Sequence, residues 1–136
     1  MAIHVYPALF SKEENGMYSV YFPDFDCTNY SCTTGGNDLK DAMVMANDAL
    51  CLTLYGMEDD GATIPTPSDM SKIDIQNSGD FVSLVQCDTT FYHNYYSKKA
   101  VRKTLTIPAY LNVIAEKEGI NFSHVLQEAL KRQLGV

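Results

Sequence analysis

The chain has 136 residues, a formal charge of −7, 46% hydrophobic and 20% charged residues, which allows one modest core or a small domain with a smaller companion and excludes a disordered chain. No apolar run reaches the roughly 18 residues of a bilayer span, and the stretch from Met1 to Pro7 lacks the basic-then-apolar pattern of a secretion signal. The expectation is a soluble cytoplasmic protein.

In chain order, residues 3–10 read as a strand, and Lys12-Glu13-Glu14-Asn15-Gly16 as a polar turn with the glycine a hairpin needs. Residues 17–22 alternate and are aromatic and β-branched, so they should pair back on the first strand until Pro23 stops them. A loop over 24–31 leads to a short strand, Cys32-Thr33-Thr34, closed by Gly35-Gly36. Asn37 or Asp38 then caps a helix whose apolar stripe is Leu39, Ala42, Met43, Ala46, Ala49, Leu50, Thr53 and Leu54, with Gly56 as its expected end. Residues 58–68 are rich in turn formers and are expected to be non-helical. Residues 81–87 form the next strand. The first 88 residues thus predict a β-β-β-α-β domain in an α+β chain. Residues 89–100 read as a linker or short helix whose three tyrosines and Phe91 pack on that domain or across a dimer seam, with stacking on nucleic-acid bases as the alternative.

Charge divides the chain sharply. Residues 1–97 carry three lysines against fourteen acids, a net of −11; residues 98–136 carry seven Lys and Arg against three acids, a net of +4. A basic segment suits phosphate, and an acidic one suits a basic partner. The four cysteines, at 27, 32, 51 and 87, form no Cys-x-x-Cys pair and have no histidine at zinc-ligand spacing. Reduced, partly buried thiols with no metal and no cofactor are expected.

Residues 101–136 form a second module. In Arg102-Lys103-Thr104-Leu105-Thr106-Ile107-Pro108, Leu105 and Ile107 share one face of a strand, and Arg102, Thr104 and Thr106 the other. Pro108 can open a helix carrying Leu111, Ile114 and Ala115. Glu118-Gly119-Ile120-Asn121 is a tight turn, and Ser123 is the expected cap of a second helix bearing Val125, Leu126, Ala129, Leu130 and Leu134. So short a segment cannot bury enough surface alone, and a lone strand leaves its backbone unpaired. Pairing two copies solves both problems, with Leu105, Ile107, Leu111, Ile114, Leu126 and Leu130 as the dimer core. The resulting two-stranded ribbon fits a DNA major groove. Arg102, Lys103, Thr104 and Thr106 would face bases and phosphates, and the amides near Ser123 and His124 would hold a phosphate.

The run Lys103 to Pro108, with Leu111, Ala115 to Ser123 and Leu126 to Leu130, resembles the ribbon-helix-helix repressors. Tyr6 to Phe10, Gly16 to Asp24, Cys32 to Thr34, the helix from Leu39 to Gly56 and the tail from Met57 to Ser68 resemble the HicB antitoxin domain. Two departures stand out. Asp26 to Ser31 is longer than the family's Pro-Gly turn, and Gly36-Asn37-Asp38 replaces its Gly-Asp-Thr. The resemblance implies a partial ribonuclease-H-like domain without catalysis that covers a small basic HicA-type ribonuclease toxin. It also implies a homodimer, or a higher oligomer, that binds operator DNA and represses its own operon. Acidic candidates for the toxin face are Glu13, Glu14, Asp24, Asp26, Asp59 and Asp60.

Two other functions compete with this one. A metal-dependent nuclease needs carboxylates converging on Mg²⁺ from rigid positions, whereas these lie in loops and turns. No Ser/His or Cys/His context activates a nucleophile, and Gly35-Gly36 lacks the residues of a phosphate loop. The second alternative is an interaction protein whose ribbon dimerises without touching DNA.

Overall fold

A computed structural model describes residues 2–136 and divides the chain into two units, Met1–Lys98 and Lys99–Val136. The first contains β1 (Ile3–Lys12), β2 (Tyr18–Tyr21), β3 (Thr33–Gly36), α1 (Leu39–Asp60), β4 (Phe81–Asp88) and α2 (Thr90–Tyr96). The second contains α3 (Ala109–Lys117) and α4 (Phe122–Leu134). The architecture is α+β, with one antiparallel sheet in the order β3-β2-β1-β4.

Alternation along the strands decides which side chains meet α1. Tyr6, Ala8 and Phe10 of β1, Val20 of β2, and Val85 and Cys87 of β4 are buried in one core with Ala42, Ala46, Leu50, Leu54 and Met57. The register sets Phe10 opposite Phe81, and their rings stack at 5.1 Å. Where β3 hands over to α1, Gly36 is buried so closely that an added Cβ would lie 2.3 Å from the backbone nitrogen of Ala42. Only glycine fits there.

Pro7 sits within β1, although that strand has neighbours on both sides. It pairs with Leu84 on β4, whereas β2 reaches back only as far as Leu9. The Thr89 amide donates to the Ala2 carbonyl, so by alternation along the same register Pro7 and Leu84 are a pair without ladder bonds, the proline nitrogen faces past the end of β2, and no hydrogen bond is lost. The same alternation turns the carbonyl of Gln86, two residues on, away from β1, where the side-chain amide of Asn47 donates to it.

The structure differs from the sequence reading in several places. Helix α1 does not end at Gly56 but runs on to Asp60 and is closed by Gly61 at φ 68°. A glycine within a helix costs about 1 kcal/mol relative to alanine; here burial of Leu54 and Met57 on the same stripe carries the helix through it. Asp38, not Asn37, is the N-cap, accepting from the Asp41 amide at 2.8 Å. Helix α4 is capped by Asn121 rather than Ser123: its side-chain oxygen accepts from the His124 amide at 3.1 Å. Strand β1 extends to Lys12, and β3 spans 33–36 rather than 32–34. Residues 90–96, where the sequence allows a linker or a short helix, form the helix α2 within the N-terminal unit. The strand expected over 102–108 joins no ladder in the single chain.

Candidate functional site

In the C-terminal unit, apolar positions recur at steps of three and four on α3 and α4, yet no side chain is buried. Asn112, Ala115 and Leu126 are half-buried and the rest are exposed. Leu105 keeps 61% of its surface, Ile114 55% and Leu130 50%. Lys103, Leu105 and Ile107, spaced by two, line an open groove of about 520 Å³ with Asn112, Phe122, Ser123, Val125, Leu126 and Ala129. Leu105 and Ile107 thus share this groove with residues of α3 and α4. Gly119 at φ 69° makes the turn between the helices, a conformation that other residues adopt only with strain.

The six acidic candidates of the N-terminal unit fall into two groups. Glu13 and Glu14 are exposed at the β1–β2 hairpin tip, held by the 2.7 Å bond from the Glu13 amide to the Met17 carbonyl. Asp24, Asp26, Asp59 and Asp60 lie at the opposite end of the sheet, beyond the four residues of β2, which span about 13 Å at roughly 3.3 Å per residue. At that end, Asp24 accepts from both the amide and the hydroxyl of Ser68 and so secures the connection after α1. Asp26 accepts from the Tyr21 hydroxyl. Asp60 accepts from the Tyr30 hydroxyl at 2.5 Å, and this bond raises the phenol's pKa. Three of these acids, Asp24, Asp26 and Asp60, therefore tie loops down as well as lending charge. The long loop from Asp26 to Ser31 is ordered by Thr28, whose hydroxyl donates to the carbonyls of Phe25 and Tyr30.

At the same end lies a polar knot that sequence reasoning missed. Glu58, near the end of α1, has its carboxylate within 2.9 Å of His4 Nε2 and 2.6 Å of His93 Nε2. The Thr89 hydroxyl lies 3.1 and 3.0 Å from its two oxygens. Thr89 is fully buried and also bonds the backbone of Ala2. Burial opposes ionisation of Glu58, but the hydrogen bonds it accepts, that of His4 foremost and those of His93 and Thr89 among the rest, outweigh it and bring its pKa down from 4.5 to about 2. The start of β1, the end of α1 and the start of α2 thus meet on one carboxylate. The only hint in the sequence was Gly56 within a stripe that continues past it.

Cys32, Cys51 and Cys87 are free and buried, and Cys27 is free and exposed. Burial pushes the thiols of Cys32, Cys51 and Cys87 upward, so they stay protonated and inert as nucleophiles. Among the described residues no group of three or more His, Cys, Asp and Glu side chains is arranged to hold a metal ion, and no helix is long and apolar enough to cross a membrane.

Residues 6–129 match the family described as "HicB_like antitoxin of bacterial toxin-antitoxin system". No curated protein matches the sequence. A chain of a toxin-antitoxin complex from Streptococcus pneumoniae is similar at a TM-score of 0.60 and 26% identity, over 97% of this chain and 99% of that one. A chain of a HicA3 and HicB3 toxin-antitoxin complex is similar at 0.50 and 27%, over 62% and 99%. The antitoxin HicB of Burkholderia pseudomallei is similar at 0.52 and 18%, over 96% of each chain, a likeness of fold alone.

Proposed function

The chain belongs to the HicB-like antitoxin family, and from that premise we propose that its N-terminal unit neutralises a small basic HicA-type ribonuclease toxin while its C-terminal unit dimerises and binds operator DNA. In this reading the sheet unit is a partial ribonuclease-H-like domain without catalysis, and residues 101–136 are a ribbon-helix-helix. The role is regulatory rather than enzymatic. The similarity to chains of toxin-antitoxin complexes, one of them of HicA3 and HicB3, supports the toxin as partner.

The observation that carries the dimer is the uncovered apolar face of the C-terminal unit. A half-exposed leucine or isoleucine gains about 1 kcal/mol when covered. Leu105, Ile107, Leu111, Ile114, Leu126 and Leu130 of each copy would gain it together. A second copy supplies that cover and pairs residues 102–108 as an antiparallel ribbon. Arg102, Thr104 and Thr106 then stand in duplicate on the outer face, where Arg can fork onto guanine and Thr can meet a base edge or a thymine methyl. Lys103 lines the groove on the inner side, so its ammonium reaches phosphate from the rim rather than reading bases. The cap on the His124 amide leaves those of Phe122 and Ser123 to hold a phosphate at the start of α4.

The test is light scattering on the purified chain, combined with rescue of growth arrested by the toxin. A mass of two chains or a multiple, together with rescue, is expected. A monomer removes the ribbon, and failure to rescue removes the toxin as partner.

A further inference from the structure

Helix α2 carries four aromatic residues in seven, Phe91, Tyr92, Tyr95 and Tyr96, and it does not bury them all. Phe91 keeps 64% of its surface, Tyr95 68% and Tyr96 52%. Their rings form a continuous run that ends on α1. Phe91 stacks on Tyr95 at 5.8 Å, Tyr95 meets Tyr96 edge-on at 5.1 Å, and Tyr96 stacks on Tyr55 at 5.3 Å. A seven-residue helix is too short to persist alone. Here the Glu58 knot holds it through His93 and Thr89, and Tyr92 reaches Asp48 at 3.5 Å. The exposed rings are therefore fixed in place before any partner arrives, the condition under which aromatic side chains contribute most to binding.

Charge selects the partner. No lysine or arginine occurs in α2 or in residues 53–60 of α1. Asp59 lies one helical turn beyond Tyr55, whose pKa is raised by burial and then by the Asp59 charge. Rings bordered by Asp59, with no lysine or arginine in α2 or in the last eight residues of α1, accept arginine or lysine, by cation–π contact and ion pairing together. They repel the phosphates of a nucleic acid. A second copy of the same face would bring its own Asp59 against Asp59.

We infer that the exposed aromatic face of α2, with Tyr55 and Asp59 of α1, is the anchor on which a basic protein, the toxin, docks through its arginine or lysine side chains. This rests on the antitoxin reading and deepens it. The hot spot lies on α2, a helix outside the acidic positions that the sequence singled out, and Asp24 and Asp26 belong to loop fastening.

The experiment is calorimetric titration of the full-length chain with its purified toxin, for the wild type, Phe91→Ser/Tyr95→Ser and Asp59→Asn. Mass by light scattering and thermal melting are recorded on each. The double variant alters only exposed rings and is expected to melt as the wild type does. Its Kd for the toxin is expected to rise about 30-fold or more, the loss typical of interface anchors, with unchanged mass. Asp59→Asn is expected to slow association and weaken its dependence on salt. An unchanged Kd in the double variant, beside clear binding by the wild type, overturns the inference and leaves the antitoxin reading standing. A fall in mass with unchanged Kd also overturns it, because the rings then serve a seam between copies. No binding by the wild type removes the antitoxin reading and this inference with it.

Discussion

Glu58→Gln probes the point where three elements of the N-terminal unit meet. The carboxylate is 13% exposed and receives His4, His93 and Thr89 at 2.6–3.1 Å. Glutamine keeps one oxygen but sets an amide donor against one of those partners. A folded pKa of about 2 against 4.5 corresponds to roughly 3 kcal/mol of stability from the ionised form. Because the folded value is the lower one, that contribution is fully present above about pH 4.5 and is lost as pH falls toward about 2. The wild type should therefore exceed the variant by about 2–3 kcal/mol at pH 7, roughly 10–20 °C in Tm for a unit of this size, and the gap should fall below about half of that by pH 3 and nearly close at about pH 2. Urea unfolding followed by near-UV tyrosine signal is the assay. Eight of the nine tyrosines lie in the N-terminal unit and there is no tryptophan. A gap that is the same at pH 3 as at pH 7 would refute the ionised knot.

Other outcomes follow from single contacts. Gly36→Ala forces a methyl against the backbone of Ala42 and should destabilise the N-terminal unit by about 3 kcal/mol or more, read in the same urea assay; a loss under 1 kcal/mol would mean that α1 shifts freely at its start. A fragment of residues 1–98 should melt well above one of residues 1–88, which lacks Thr89 and His93; equal melting would remove α2 from the fold's support. Leu130→Asp should leave a monomer in light scattering and abolish DNA binding together, and a surviving dimer would misplace the apolar seam. Thr104→Ala with Thr106→Ala should keep the dimer and lose preference for operator over scrambled DNA in gel shifts; loss of the dimer would reverse the assigned strand faces.

Much of this fold was legible because alternation and helical stripes are local. The β1–β2 hairpin, the stripe from Ala42 to Leu54 and the turn at Gly119 all follow from residues a few positions apart. What the sequence hid depends on distant partners. Gly56 reads as a stop until Leu54 and Met57 find the sheet. Asn121 and Ser123 are both good caps, and only the backbone decides between them. The Glu58 knot joins residues 31 to 54 positions apart, and no spacing rule links them. The acidic candidates illustrate both sides: their charge was plain, but their separation to opposite ends of the sheet and the bonds of Asp24 and Asp26 to Ser68 and Tyr21 were not. Residues 102–108 are the converse case. Their alternation is clear in the sequence, yet a single chain gives them nothing to pair with.

The most direct test of the account is a gel-shift titration of the full-length chain on DNA from its own upstream region, against a scrambled duplex of equal length, at several salt concentrations. Preferential binding is expected, with an affinity that falls by about 0.9 log units per phosphate contact for each tenfold rise in salt. Equal binding to both duplexes, or none to either, would contradict it and reduce the C-terminal unit to a dimer clamp.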